Sequence, residues 1–171
     1  MRNESKFWRA TLALPLVLCL VGFAWGQAMG GHAVGQNIAE TQFNAFPGLP
    51  GCTPGSVKSG DPAKGPSIIL AKADTGCTVP WHWHSPNEHL MMVKGVARLD
   101  MKSGKPLTLR AGGYAMLPGK HVHRFVCVSS CLFYVHSDGA FDIHYVDNQG
   151  NEVSLDQALK SASDAAAKKK K

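Results

Sequence analysis

From Ser67 onward the chain is a succession of short runs rich in Val, Ile, Leu, Met, Phe and Tyr, each ended by Gly, Pro, Asn, Asp or Ser. That punctuation points to an antiparallel all-β chain. The runs are SIILAKA, VPWHWH, HLMMVKG, VARLDM, LTLR, YAMLP, HRFVCV, CLFYVHS and FDIHYVD. VARLDM and LTLR, joined by Lys102-Ser103-Gly104-Lys105-Pro106, read as one hairpin. Near the end, Ser154-Leu155-Asp156-Gln157 has the form of a capping box before a stretch of helix formers, which predicts a short helix to about Ala167. Ahead of the strands, Gln27 to Phe46 is polar and Gly-rich and reads as a loose leader or arm.

The N-terminus bounds the compartment. Arg2, Lys6 and Arg9 precede an apolar run from Ala10 to Trp25, and Ala24-Trp25-Gly26 resembles a small-x-small cleavage site. The expectation is a signal peptide over residues 1–26 and a periplasmic or secreted mature protein. The run is short and interrupted by Pro15, a poor membrane span, with an uncleaved anchor as the alternative. Cys19 follows Leu18, where a lipoprotein site needs a small side chain, so it belongs to the removed segment. About 145 residues remain of 171, enough for one domain with a real core.

The formal net charge of +6 is concentrated at the two ends. The signal segment and the Lys168–Lys171 run supply all of it, and the rest of the mature chain is balanced. No basic surface interleaved with aromatics suggests nucleic acid. The lysine tail reads as solvated, so membrane contact is expected only through it or an uncleaved leader.

Four cysteines remain after cleavage, an even number in a compartment where disulfides persist. Three pairings are open, and the local sequence favours Cys127 with Cys131 and Cys52 with Cys77. The first pair flanks Val128-Ser129-Ser130, read as a hairpin turn; the second brackets a hairpin centred on Gly60-Asp61-Pro62 to Gly65-Pro66. The rival reading keeps Cys127 as a free thiol in a pocket, four residues past His123 on one strand face.

The stretch from Gly76 to Gly95, GCTVPWHWHSPNEHLMMVKG, carries the chemistry. Residues two apart on a strand share a face, so His82 and His84 converge, and the Ser85-Pro86-Asn87 turn lets Glu88 return from the next strand with a carboxylate. Two imidazoles and a carboxylate at one point suit a divalent transition ion, Mn, Fe, Ni, Co, Cu or Zn. A lone His-x-His is usually a pair of ordinary polar positions; here the Glu and both flanking glycines agree. His89 faces away from Glu88, and His136 and His144 lie on later strands as ordinary polar residues. His32 sits in the leader and says nothing. By strand parity, Leu90 and Met92 join Glu88, and Phe125 joins His123, as an apolar pocket lining. Trp81 and Trp83 point the other way, toward a second sheet or a partner subunit.

Gly76 to Gly95 fits G-x5-H-x-H-x3-E-x6-G without a mismatch and resembles the first motif of the cupin superfamily. Gly112 to Cys127, GGYAMLPGKHVHRFVC, resembles the second, with Gly112 and Pro118 in place and His123 at the fourth ligand position. Lys120 stands where that family usually has Gly, and Cys127 where it often has Asn. The resemblance implies a single-domain jelly-roll barrel over residues 51–150, behind a leader at 27–50 and ahead of a helix and lysine tail at 151–171. It implies one metal per chain held by His82, His84, Glu88 and His123, with one or two positions open to a small-molecule ligand or substrate. His121 is expected at the barrel mouth or behind the ligands, as the one candidate for proton transfer. The implied activity is a dioxygenase or other oxidoreductase. The alternatives are a redox-neutral isomerase or lyase, a non-catalytic ligand-binding or metal-sensing module, or a closed structural metal site. A homodimer is expected, with Trp81, Trp83 and edge strands exposed for it.

Overall fold

The short apolar runs close into an antiparallel jelly roll in the computed structural model, which describes residues 33–168. The expected signal peptide, Cys19, His32 and lysines 169–171 lie outside the described residues. The strands are β1 (Gly55–Gly60), β2 (Ser67–Ala73), β3 (Thr78–Trp83), β4 (Glu88–Met101), β5 (Leu107–Arg110), β6 (Tyr114–Leu117), β7 (His123–Ser137), β8 (His144–Val146) and β9 (Glu152–Val153), followed by α1 (Leu155–Lys168). Hydrogen bonding runs β1-β2-β7-β3-β8-β9, and β4 pairs with β5, β6 and β7. No helix among the described residues is long and apolar enough to cross a membrane.

The long strands β4 and β7 organise the barrel. The first half of β4 lies between β6 and the second half of β7, and its second half lies between β5 and the first half of β7. Inward residues alternate as the pleat requires: Glu88, Leu90 and Met92 on β4, and His123, Phe125 and Cys127 and then Cys131, Phe133 and Val135 on β7. These, with Ile69, Ala71, Leu99 and Leu117, make the core.

HRFVCV and CLFYVHS are one strand, not two, and the hairpin turn expected at Val128-Ser129-Ser130 is a bulge inside β7. Four residues of extended chain would span roughly 13 Å, yet the Cα atoms of Cys127 and Cys131 are 6.0 Å apart and disulfide-bonded. The backbone therefore folds back on itself locally while pairing with β4 resumes on either side. Across from it β4 slips register at Lys94 to Ala97, and Ser129 Oγ accepts the Val96 N–H at 3.0 Å. The slip moves the inward phase of β4 from Leu90 and Met92 to Ala97 and Leu99.

Gly95 makes this possible. Its φ is +88°, and a Cβ there would collide with the Ser130 carbonyl oxygen. The left-handed conformation and the close approach both demand glycine. Gly95→Ala is expected to destabilise the protein by ~2 kcal/mol or more, read as a lower urea midpoint at unchanged slope.

The Gly60–Pro66 hairpin forms between β1 and β2, and the Cys52–Cys77 disulfide closes beneath it. Free-thiol chemistry at Cys127 is thereby excluded in this structure. Strands β1 and β9 were not legible in the apolar runs. The capping box forms: Ser154 N–H donates to Gln157 Oε1 at 3.0 Å and Gln157 N–H to Ser154 Oγ at 3.3 Å.

Within its described part the leader is not loose throughout. Asn37 and Glu40 cap a single 3-10 turn at Ile38–Glu40, and Asn44 bridges to Gly55. Phe46 and Leu49 pack on the core, and the Tyr145 hydroxyl donates to Gly48 O at 2.8 Å. Trp81 and Trp83 are half-buried rather than freely exposed. Lys102 and Arg124 cover the Trp81 ring, each 5.0 Å from its centre, and Trp83 stacks on His144 at 3.9 Å.

Candidate metal centre

Strand β3 delivers His82, the residue just past its end delivers His84, β4 opens on Glu88, and β7 opens on His123. Hydrogen-bonded pairing sets His82 directly opposite His123. One ring nitrogen from each histidine lies within 4.8 Å of the others, and all three rings are buried. Glu88 Oε2 sits 3.2 Å from His123 Nε2 and 3.7 Å from His84 Nε2.

The turn between His84 and Glu88 is clamped by the segment linking β7 to β8. Asp138 accepts the Asn87 N–H at 2.9 Å and its side-chain amide at 2.6 Å, and Asp142 Oδ1 accepts the Ser85 N–H at 2.7 Å. Asn87 Oδ1 in turn accepts the Gly119 N–H at 2.9 Å. On that loop Lys120 has a φ of +63°, alone in the left-handed region among described non-glycine residues, and its N–H donates to His84 O at 2.7 Å. The left-handed turn accounts for the glycine that the resembling motif prefers there.

A main-chain carbonyl fixes each imidazole from behind. His82 Nδ1 faces Pro80 O at 2.6 Å, His123 Nδ1 faces His121 O at 2.9 Å, and His84 Nδ1 faces Asp142 O. A carbonyl only accepts, so each Nδ1 carries the proton and each Nε2 presents its lone pair to the interior. Burial, reinforced by His123 and His84, holds His82 well below the ordinary imidazole range, and burial lowers His84 too. Burial alone would raise the Glu88 carboxyl, but His84 and His123 outweigh it and leave it below the usual carboxylate range.

The result is a pair of imidazoles, His82 and His84, biased toward the neutral form beside a buried carboxylate biased toward the ionised one. Glu88 Oε2 and His84 Nε2 have no hydrogen-bond partner among the described residues. A buried carboxylate without compensation is costly, and so is a buried lone pair without a donor. A divalent cation satisfies both at once, so the residues present fit one.

These donors open onto a cavity of about 40 Å³, measured by the room for the centres of water-sized spheres. Leu90 and Phe125 line it as expected; Met92 is buried in the core but does not reach it. His121 does not line it either. Its carbonyl orients His123 while its own Nδ1 is buried and unpartnered among the described residues, which places it behind His123, one of the two positions expected for it. It lies just ahead of β7, which begins at His123. His89 and His136 face each other on the outside of the barrel, ring centres 5.2 Å apart.

Sequence reasoning missed Phe46, Leu49 and Thr53 from the segment ahead of β1 and Phe141 from the β7–β8 link, all of which wall the cavity. Phe141 lies 4.6 Å from the His84 ring, and its N–H donates to Pro62 O at 2.7 Å. The apolar letters of FPGLP inside an otherwise polar leader were the available signal.

The family model described as cupin domain matches residues 70–137, a span that holds all four donors. No curated protein matches the sequence. Among solved structures, an RmlC-like cupin protein from Ralstonia eutropha JMP134 is similar over 77% of this chain and 88% of its own, at 17% identity and a TM-score of 0.57. An acetylacetone dioxygenase from Acinetobacter johnsonii is similar over 77% and 93%, at 15% identity and a TM-score of 0.53. An RmlC-like cupin from Shewanella frigidimarina NCIMB 400 is similar over 61% and 89%, at 16% identity and a TM-score of 0.52. At such identities these structures speak for the fold alone. Motif, family model and barrel coincide on the same residues: residues 70–137 match the cupin domain, and the chain has the fold of the cupin structures it resembles.

Proposed function

We propose that His82, His84, Glu88 and His123 hold one divalent transition ion per chain, and that the protein is a metal-dependent enzyme of the dioxygenase or related oxidoreductase kind, acting on a small organic substrate. The observation that carries this reading is the convergence of three oriented Nε2 lone pairs and an unpartnered carboxylate oxygen on a cavity with room beside them. Room beside the donors favours an exchangeable position over a closed structural site. The two disulfides suit an oxidising compartment, which supports a periplasmic or secreted location.

An ion bound by this set would supply a Lewis acid and, if redox-active, electron transfer with dioxygen. The chain's residues do the remaining work. The carbonyls of Pro80, His121 and Asp142 hold the imidazoles in one tautomer and orientation. The apolar walls keep water away from the donors, which strengthens every electrostatic interaction at the site.

Among the described residues, the lining has no acid or base besides the four donors. Isomerase or lyase chemistry that moves a proton through a protein side chain lacks a carrier here, which favours the oxidoreductase. The same observation supports a second reading, non-catalytic capture of a small ligand at the ion. Elemental analysis of the mature protein, followed by dioxygen uptake with a panel of thiols, phenols and diketones, separates the two. One redox-active ion per chain with uptake supports the oxygenase; zinc, or a redox metal without uptake, favours the binding module. The fold-level similarity to an acetylacetone dioxygenase is the reason for including diketones.

A further inference from the structure

Among the described residues, the cavity has a single polar side chain apart from the four donors, Thr53; the rest of its lining is Gly55 and apolar groups such as Phe46, Leu49, Ile69, Phe133 and Phe141. No lysine, arginine, asparagine or glutamine reaches it among the described residues. Thr53 is 4% exposed, and its hydroxyl has only sulfur for company: Cys77 Sγ at 3.3 Å and Cys52 Sγ at 4.0 Å. Both sulfurs are in the disulfide, so they are weak acceptors and cannot donate. The Thr53 hydroxyl is thus buried, held in place by the bridge and by its own N–H to Pro50 O at 2.9 Å, and free to serve a stronger partner.

Resting on the proposed metal site, we infer that the cavity takes a small, predominantly apolar ligand with no charge beyond the group that engages the ion, and that Thr53 supplies the side-chain hydrogen bond available to the rest of it. A second carboxylate inside this lining would meet neither a cation nor an N–H donor, and a buried charge left unpaired is strongly disfavoured. A polyhydroxylated ligand would leave most of its hydroxyls unmatched. A lone hydroxyl or carbonyl on an apolar frame meets neither penalty.

The test uses the full chain loaded with Co(II), whose visible spectrum reports ligand exchange, titrated with butanoate, succinate and 3-hydroxybutanoate. Butanoate is expected to bind on the order of a hundredfold more tightly than succinate, and 3-hydroxybutanoate to gain roughly three- to tenfold over butanoate. In Thr53→Val, close in shape but without the hydroxyl, that gain should vanish, and Thr53→Ser should restore it. Thermal midpoints of both variants check that they fold. Equal or tighter binding of succinate, no spectral response to butanoate with cobalt bound, or a gain that survives in Thr53→Val would each overturn the inference. Failure to take up cobalt, measured separately by elemental analysis, would instead overturn the metal site on which it rests.

Discussion

Replacing His123 by alanine is expected to abolish stoichiometric metal binding, while replacing His121 leaves affinity close to that of the parent. The two residues are neighbours in the motif, and their contributions are opposite in kind. His123 is buried and offers Nε2 to the interior, with its Nδ1 proton already committed to the His121 carbonyl. What holds it is the His121 main chain, which an alanine retains. Loss of a partner that orients a ligand costs about 10–100-fold in metal affinity; loss of the ligand itself should exceed that. His82→Ala should behave like His123→Ala, because the two rings lie opposite each other across β3 and β7 with centres 4.2 Å apart. Isothermal titration with Co(II) or Zn(II) reads the difference. Equal loss in the His121 and His123 variants would show that the fourth ligand is misassigned.

Stripping the metal with a chelator is expected to lower the thermal midpoint by about 10 °C, and returning the ion should restore it. Without a cation, Glu88 Oε2 and His84 Nε2 are buried polar atoms with no partner, a state that favours opening of the barrel. An ion present at a thousand times its dissociation constant adds about 4 kcal/mol, and for a chain of this size each kcal/mol moves the midpoint by about 2–4 °C. Glu88→Gln should shrink the shift, since it removes the charge while keeping the shape. A midpoint indifferent to metal in the parent would count against a site within the barrel.

The convergence of His82, His84 and Glu88 was legible in the sequence because strand parity and turn chemistry are local. His82 and His84 share a face by alternation, and the Ser85-Pro86-Asn87 turn returns the chain at Glu88. The Ser154–Gln157 cap and the β4–β5 hairpin were local in the same way. Features that depend on a distant partner were harder to read. Val128-Ser129-Ser130 looks like a turn between two cysteines, and only Gly95 on the facing strand makes it a bulge. The acceptor behind His84 is a main-chain carbonyl at Asp142, a contact with no sequence signature. Phe46, Leu49 and Thr53 come from a segment whose docking is decided by the barrel surface they cover.

The Cys52–Cys77 bridge ties that covering segment to the start of β3 just ahead of His82. Every donor falls within residues 70–137, the span common to the family, whereas Phe46, Leu49, Thr53 and Phe141 fall outside it. Substitutions in the strap or in the β7–β8 link can therefore reshape the chamber while His82, His84, Glu88 and His123 stay untouched.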